Sequence, residues 1–177
     1  MFYLFNILLV PIYYLFFTKQ KASTDKGNTT FIKVACVHAI LFRVFANPLN
    51  YVDTEGYARA FENINTMHFQ EALLSIYSGC WICYVTLKVF LEQISSDPMI
   101  LFSFLSIFTV GGVMWFYKRT SYAYFSTVLL FLTYPMLYYM GFGVVRHHFA
   151  IIFILLSLYY IDNYKISIPL AIVAVLM

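Results

Sequence analysis

The sequence predicts an all-α protein, a polytopic transmembrane helical bundle forming one integral membrane domain over residues 1–177. Three observations predict it. Hydrophobic residues make up 62% of the chain and charged residues 11%, where a soluble domain carries about 25% charged residues. The 11 Lys/Arg and 8 Asp/Glu are too few to coat a globule, and mean hydropathy is +0.78. The apolar stretches are continuous rather than alternating, which selects helices over a barrel as the spanning element. The net charge of +3 is small, and the basic residues are scattered rather than gathered in a stripe. That pattern argues against nucleic acid as a partner.

Six apolar stretches mark the elements, judged against the roughly 20 residues that a span needs. Phe2–Phe17 comes first. It lacks a basic leading region and an Ala-x-Ala cleavage site, so it reads as a retained span and not a signal peptide. Phe31–Ala46 follows; both are short and would stand upright or thin the bilayer locally. Ala72–Leu91 is the least apolar, holding Ser75, Ser78, Gly79, Thr86 and Lys88 between Glu71 and Glu92-Gln93. Met99–Tyr117, Tyr122–Met140 and Phe142–Ile161 complete the set. A seventh run, Ile166–Met177, stops before it crosses, so the chain is expected to be truncated at its C-terminus, the N-terminal part of a longer protein. Tyr and Phe occur throughout, so no aromatic belt stands out, and no internal repeat is visible.

Charge orients the stretches. Lys19, Lys21, Lys26 and Lys33 surround the first connection and place it in the cytoplasm. Asn47–Glu71, with Asp53, Glu55, Glu62 and Glu71 against Arg59, then falls outside. Lys118-Arg119 is a basic turn and belongs inside again. These assignments conflict if every stretch spans. The conflict disappears if Ala72–Leu91 lies at the outer surface as an amphipathic or re-entrant helix. Arg146 then emerges outside, on the same face as Asp53.

Two polar clusters stand out, because ionisable residues near a bilayer are costly and mark function. In the first, Asp53, Tyr57 and Phe61 recur at helical spacing on one face. Asp53 suits an N-cap or a general base. Glu55 and Arg59 form an i, i+4 pair of the favourable orientation. A capped, solvated surface helix is the plain alternative. In the second cluster, Gly141 and Gly143 loosen the chain before Arg146-His147-His148. Free N–H groups at a helix start favour an anion, and an arginine fork suits a diphosphate. A snorkelling anchor is the plain alternative here. His147 and His148 point about 100° apart on a helix and chelate poorly, so no metal is expected. Cys80-Trp81-Ile82-Cys83 lacks the context of a redox or metal motif and reads as buried small hydrophobes. His38 and Arg43 sit five apart in the second stretch, with Arg43 near its outer end and placed to snorkel. His68 lies in the outer loop with no partner evident in the sequence.

In this order and spacing the chain resembles the EpsG family of bacterial exopolysaccharide membrane proteins, relatives of the Wzy-type polysaccharide polymerases. The basic loop precedes a span that ends in Asp53-x-x-x-Tyr57-x-x-x-Phe61. Glu71 begins a semi-apolar helix, and the next span closes in Lys118-Arg119-Thr120-Ser121. An aromatic-rich span leads to Arg146-x-x-x-Ala150, and a short helix ends in Tyr159-Tyr160-Ile161. The chain departs from the family in having His147 where Gln is usual, and in lacking a Glu-Pro-Gly-like start to the helix after Glu71. The family also continues further, often with a His in the next span.

The resemblance implies a GT-C-like membrane glycosyltransferase in the bacterial cytoplasmic membrane, using no cofactor. It would join lipid-linked oligosaccharide repeat units into exopolysaccharide, capsule or O-antigen chains at the outer face. The donor would be a polyprenyl-diphosphate-linked oligosaccharide, and a flippase and a chain-length regulator would be partners alongside the bilayer. Asp53 and Arg146 are the expected catalytic pair. Tyr57 and Arg59 are expected to bind substrate, with Glu55, Glu71 and His147 in support. The rival readings are a transporter of polysaccharide or lipid-linked sugar, and a non-catalytic scaffold of an assembly complex. The scaffold reading makes the packing residues Gly111 and Gly112 the sensitive ones.

Overall fold

The computed structural model describes residues 2–19, 25–45, 54–64, 82–121, 123–133 and 145–176. Those residues form eight α-helices and no strand. They are α1 (Phe2–Lys19), α2 (Asp25–Phe45), α3 (Thr54–Ile64), α4 (Ile82–Glu92), α5 (Pro98–Thr120), α6 (Tyr124–Thr133), α7 (Val145–Tyr159) and α8 (Tyr164–Val175).

The central helix is α5, and its sequence states both of its ends. The Asp97 carboxylate accepts the Met99 backbone N–H at 2.8 Å, and Pro98 fills the first helical position, where a missing N–H costs nothing. At the other end the Ser121 N–H donates to the Tyr117 carbonyl at 2.9 Å. The Ser121 hydroxyl lies 2.7 Å from that of Thr127, which ties the turn to the first turns of α6.

Ring contacts set the register of the neighbours. Phe31, near the start of α2, meets Phe125 just beyond the end of α5, with ring centres 6.4 Å apart. Arg43, near the end of α2, meets Thr109 at the middle of α5. The two helices are therefore antiparallel. Tyr117 against Phe131 turns α6 back along α5. Phe108 meets Phe149 at 4.6 Å and Trp115 meets Tyr159 at 5.2 Å, so α7 runs parallel to α5 and begins level with its middle. Close approach of α5 and α7 requires Gly112: a Cβ there would stand 2.7 Å from Cγ2 of Ile152. A short turn then folds α8 back on α7. The Ser157 hydroxyl donates to the Ser167 carbonyl at 3.0 Å, and the Ser167 hydroxyl donates to the Ser157 carbonyl at 2.9 Å.

Two apolar clusters hold the bundle. One joins Val10 of α1, Phe31 and Ala39 of α2, Val110 of α5, Phe131 of α6 and Ile152 of α7. The other joins Phe61 of α3, Leu91 of α4, Leu101 and Leu105 of α5, and Phe149 of α7. Thus α3 and α4 cover the N-terminal half of α5.

Where they are described, the apolar stretches are helical. Among the described residues, Asn28–Phe45 and Pro98–Thr120 are long and apolar enough to cross a membrane. Ile7–Phe17, Tyr124–Thr133, His147–Tyr159 and Tyr164–Val175 are shorter apolar segments. The end of α2 and the start of α5 lie toward the same end of the bundle. Of the Ala72–Leu91 stretch, residues 72–81 lie outside the described residues. The described part of that stretch, from Ile82, is α4.

Candidate functional site

Three helices converge at one depth: α2 ends, α5 reaches its middle and α7 begins. Arg43 sits there only 5% exposed. Its Nη1 donates to the Thr109 hydroxyl at 3.2 Å. That hydroxyl donates in turn to the Leu105 carbonyl at 2.7 Å, so Thr109 is held by its own helix while it holds the guanidinium. Beside them lies a cavity of about 90 Å³. Arg43, Thr109, Tyr117 and His148 give it a polar lining; Val113, Phe131 and Leu155 supply apolar wall.

The expectation that Arg43 snorkels is corrected by this burial. Snorkelling needs the end of α2 to coincide with an edge of the bundle. Instead α5 extends eleven residues beyond Thr109 toward its own N-terminus, to Pro98, and that half is covered by α3 and α4. Nor do His38 and Arg43 act together. Five residues turn a helix by about 140° beyond a full circle, and His38 faces α1, where its Nδ1 lies 2.9 Å from the Tyr13 hydroxyl.

The expected site residues divide. Arg146 lies in the first turn of α7, and His148 of the same turn lines the cavity, while His147 is exposed. Asp53, His68 and Glu71 lie outside the described residues. Glu55 and Arg59 form the expected i, i+4 ion pair, with side chains 65% and 72% exposed. Tyr57 and Phe61 share a face, as the spacing requires, but that face turns inward. Phe61 is fully buried, and Tyr57 packs half-buried on the second apolar cluster. Neither Tyr57 nor the ion pair is among the residues that line the Arg43 cavity.

Sequence reasoning missed Thr109, Tyr117 and the depth of Arg43. One signal was available: Ser103, Ser106 and Thr109 recur every third residue inside an apolar span. Polar groups repeated on one helix face mark a face turned to other protein; Ser106 and Thr109 are both buried. Lys88 was also missed as a buried cation. It is 5% exposed on α4, and desolvation pulls its ammonium down to about 8.

Comparison with known proteins gives one family. The EpsG family model matches residues 33–177, which include the Arg43 cavity and the first turn of α7. No curated protein and no solved structure matches the chain. On the match from Lys33 onward, the chain belongs to the EpsG family.

Proposed function

We propose that this chain polymerises lipid-linked oligosaccharide units at the outer face of the bacterial cytoplasmic membrane, as a multi-pass, GT-C-like bundle. Membership of the EpsG family makes it an exopolysaccharide-related membrane protein. The finer reading rests on chemistry. Positive charge supports the orientation: Lys33, Lys118 and Arg119 lie toward one end of the bundle, where the N-terminal part of α2 meets the C-terminal part of α5. The positive-inside rule puts that end in the cytoplasm. The opposite end, with α3, α4 and the start of α5, then faces outward.

The observation that carries the reading is the convergence of α2, α5 and α7 on a buried arginine beside a cavity. The first turn of α7 carries Arg146 to that depth. In the proposed reaction, the acceptor sugar hydroxyl attacks the anomeric carbon of the donor. The new C–O bond forms as the bond to the polyprenyl diphosphate breaks. Asp53 takes the hydroxyl proton. Arg146 and the free N–H groups of its turn neutralise the departing diphosphate. Tyr57 and Arg59, with Glu55, Glu71 and His147 in support, hold the sugars. A flippase would deliver the donor and a chain-length regulator would set the product.

Glycan chain length in cells lacking the protein tests this, with complementation by wild type, Asp53→Ala or Arg146→Ala. Single-repeat glycan from both variants, at normal protein level, is the expected result. Full-length polymer from both would remove the assignment and favour a scaffold. A transporter predicts loss of vesicle uptake with no change in chain length.

A further inference from the structure

We propose that the groove between α1 and α2 is a binding site for one anionic phospholipid of the cytoplasmic leaflet. The proposal needs the chain to lie in a bilayer in the orientation given above, and needs nothing of the polymerase reaction. The groove has a volume of about 360 Å³ and is lined by Tyr13 of α1 and by Lys33, Val34, Val37, His38 and Leu41 of α2. Lys33, Val37 and Leu41 follow one another at intervals of four residues, so they form one stripe along the helix. From Lys33 to Leu41 the stripe rises about 12 Å, close to the hydrocarbon thickness of one leaflet, about 15 Å. Its charged end is the cytoplasmic end of the bundle, because Lys33 stands two residues after Phe31, whose ring meets Phe125 beyond the end of α5.

Three features select a phospholipid. Val37 and Leu41 are 56% and 50% exposed on a helix long and apolar enough to cross a membrane, so in a bilayer they meet an acyl chain. The described lining holds the Lys33 ammonium and no carboxylate, and Lys33 has no ion-pair partner among the described residues. The cytoplasmic leaflet carries anionic lipids, and a lysine near its surface attracts their phosphates. Lys33 reaches that level by laying its hydrocarbon stem along the groove and its charge at the headgroups. One ammonium balances one phosphodiester charge, which fits a phospholipid better than a diphosphate-linked carrier. The third feature is a fixed floor. The Tyr13 hydroxyl lies 2.9 Å from Nδ1 of His38, and the two rings meet edge to face with centres 5.5 Å apart. These contacts pin α1 to α2, so a lipid meets a surface that the protein has already shaped.

Native mass spectrometry of the purified full chain, delipidated and then titrated with dioleoylphosphatidylglycerol or dioleoylphosphatidylcholine, tests the site. Wild type should retain one phosphatidylglycerol with a preference of about fivefold over phosphatidylcholine, which is what one lysine near an anionic surface is worth. Lys33→Gln should abolish the preference, and Lys33→Arg should keep it. Val37→Trp retains every charge and fills the groove, so it should lower retention of both lipids; it decides the matter if Lys33→Gln does not fold. The double substitution Lys118→Gln, Arg119→Gln removes two cations from the same end of the bundle and should leave binding within twofold of wild type. An equal loss there would make the preference a property of the whole basic surface and overturn the groove. No choice between headgroups in wild type would overturn it as well, as would a preference unchanged in Lys33→Gln or, should that variant not fold, retention unchanged in Val37→Trp. Displacement by soluble glycerol 3-phosphate would assign the site to a free phosphate, and displacement by an equimolar amount of farnesyl phosphate would assign it to an isoprenoid carrier; either removes the phospholipid. Glycan length in cells reports separately on the polymerase. Normal glycan without the protein, together with Lys33-dependent lipid retention, would leave the lipid site standing and remove the polymerase. Short glycan with Lys33-independent retention would do the reverse.

Discussion

Arg43 and Arg59 carry the same guanidinium in two different situations. Arg59 sits on the outer face of α3 and pairs with Glu55 one turn away, both side chains mostly in solvent. Arg43 is buried, and its bond to Thr109 spans 66 positions of sequence. The first pair can form in an isolated helix. The second exists only when α2 and α5 have docked in register. In water the Coulomb term is screened and the exposed pair is worth little; inside the bundle a lost partner leaves a desolvated charge, which is costly. The cations that matter to the stability of this fold are therefore those at the helix junctions.

Lys88 extends the comparison to a buried cation that can lose its charge, and its expected effect is the largest. Its folded value is about 8, against an ordinary 10.5. The unfolded chain therefore binds more protons between those limits, so stability rises with pH across that window. Measured against Lys88→Met in detergent, wild type should gain on the order of 3 kcal/mol between pH 8 and pH 10.5. A difference that stays flat across that range would mean that Lys88 remains charged inside, like Arg43.

Thr109 tests the junction at Arg43 without touching the charge. Thr109 and Thr133 both donate to the carbonyl four residues back, and only Thr109 is buried beneath a guanidinium. Thr109→Val should cost about 1.5–3 kcal/mol, the range for hydrogen bonds to charged groups. Thr133→Val, on an exposed face, should fall within about 0.5 kcal/mol of wild type. Equal effects from the two would mean that Arg43 does not depend on its hydroxyl partner.

The adjacent glycines separate in the same way. Ile152 fills the space at Gly112, whereas nothing lies within 4 Å of a Cβ at Gly111. Gly112→Ala must push a buried β-branched side chain and should cost about 1–3 kcal/mol, with the α5–α7 seam opening beside the cavity. Gly111→Ala should stabilise by about 0.5–1 kcal/mol through helix propensity. Thermal unfolding of both variants checks the pair.

These contrasts show what a sequence of this kind makes legible. Helix positions follow from apolar runs: the stretch Met99–Tyr117 falls within α5, whose ends Asp97-Pro98 and Ser121 mark. Local spacing also gave the Glu55–Arg59 pair. Depth was illegible, because hydropathy measures the length of each stretch and says nothing of how far one helix slides along another. Arg43 looks terminal on α2 and becomes interior only when the middle of α5 lies beside it. The inward turn of Tyr57 and the difference between Gly111 and Gly112 likewise depend on neighbours from other helices.

Arg59→Ala should have the smallest effect. The pair has the favourable orientation, with the acid N-terminal to the base. Its solvent exposure limits its worth to about 0.3–0.5 kcal/mol, and salt should erase most of that. Stability therefore predicts a near-neutral variant, while the proposed sugar contact predicts a loss of polymer length. The two readouts separate cleanly because little folding energy is at stake. Arg59→Ala with unchanged melting and shortened glycan would make the exposed arginine a substrate contact. Unchanged melting with full-length glycan would leave Arg59 as a solvated surface charge and concentrate the chemistry at the junction of α2, α5 and α7.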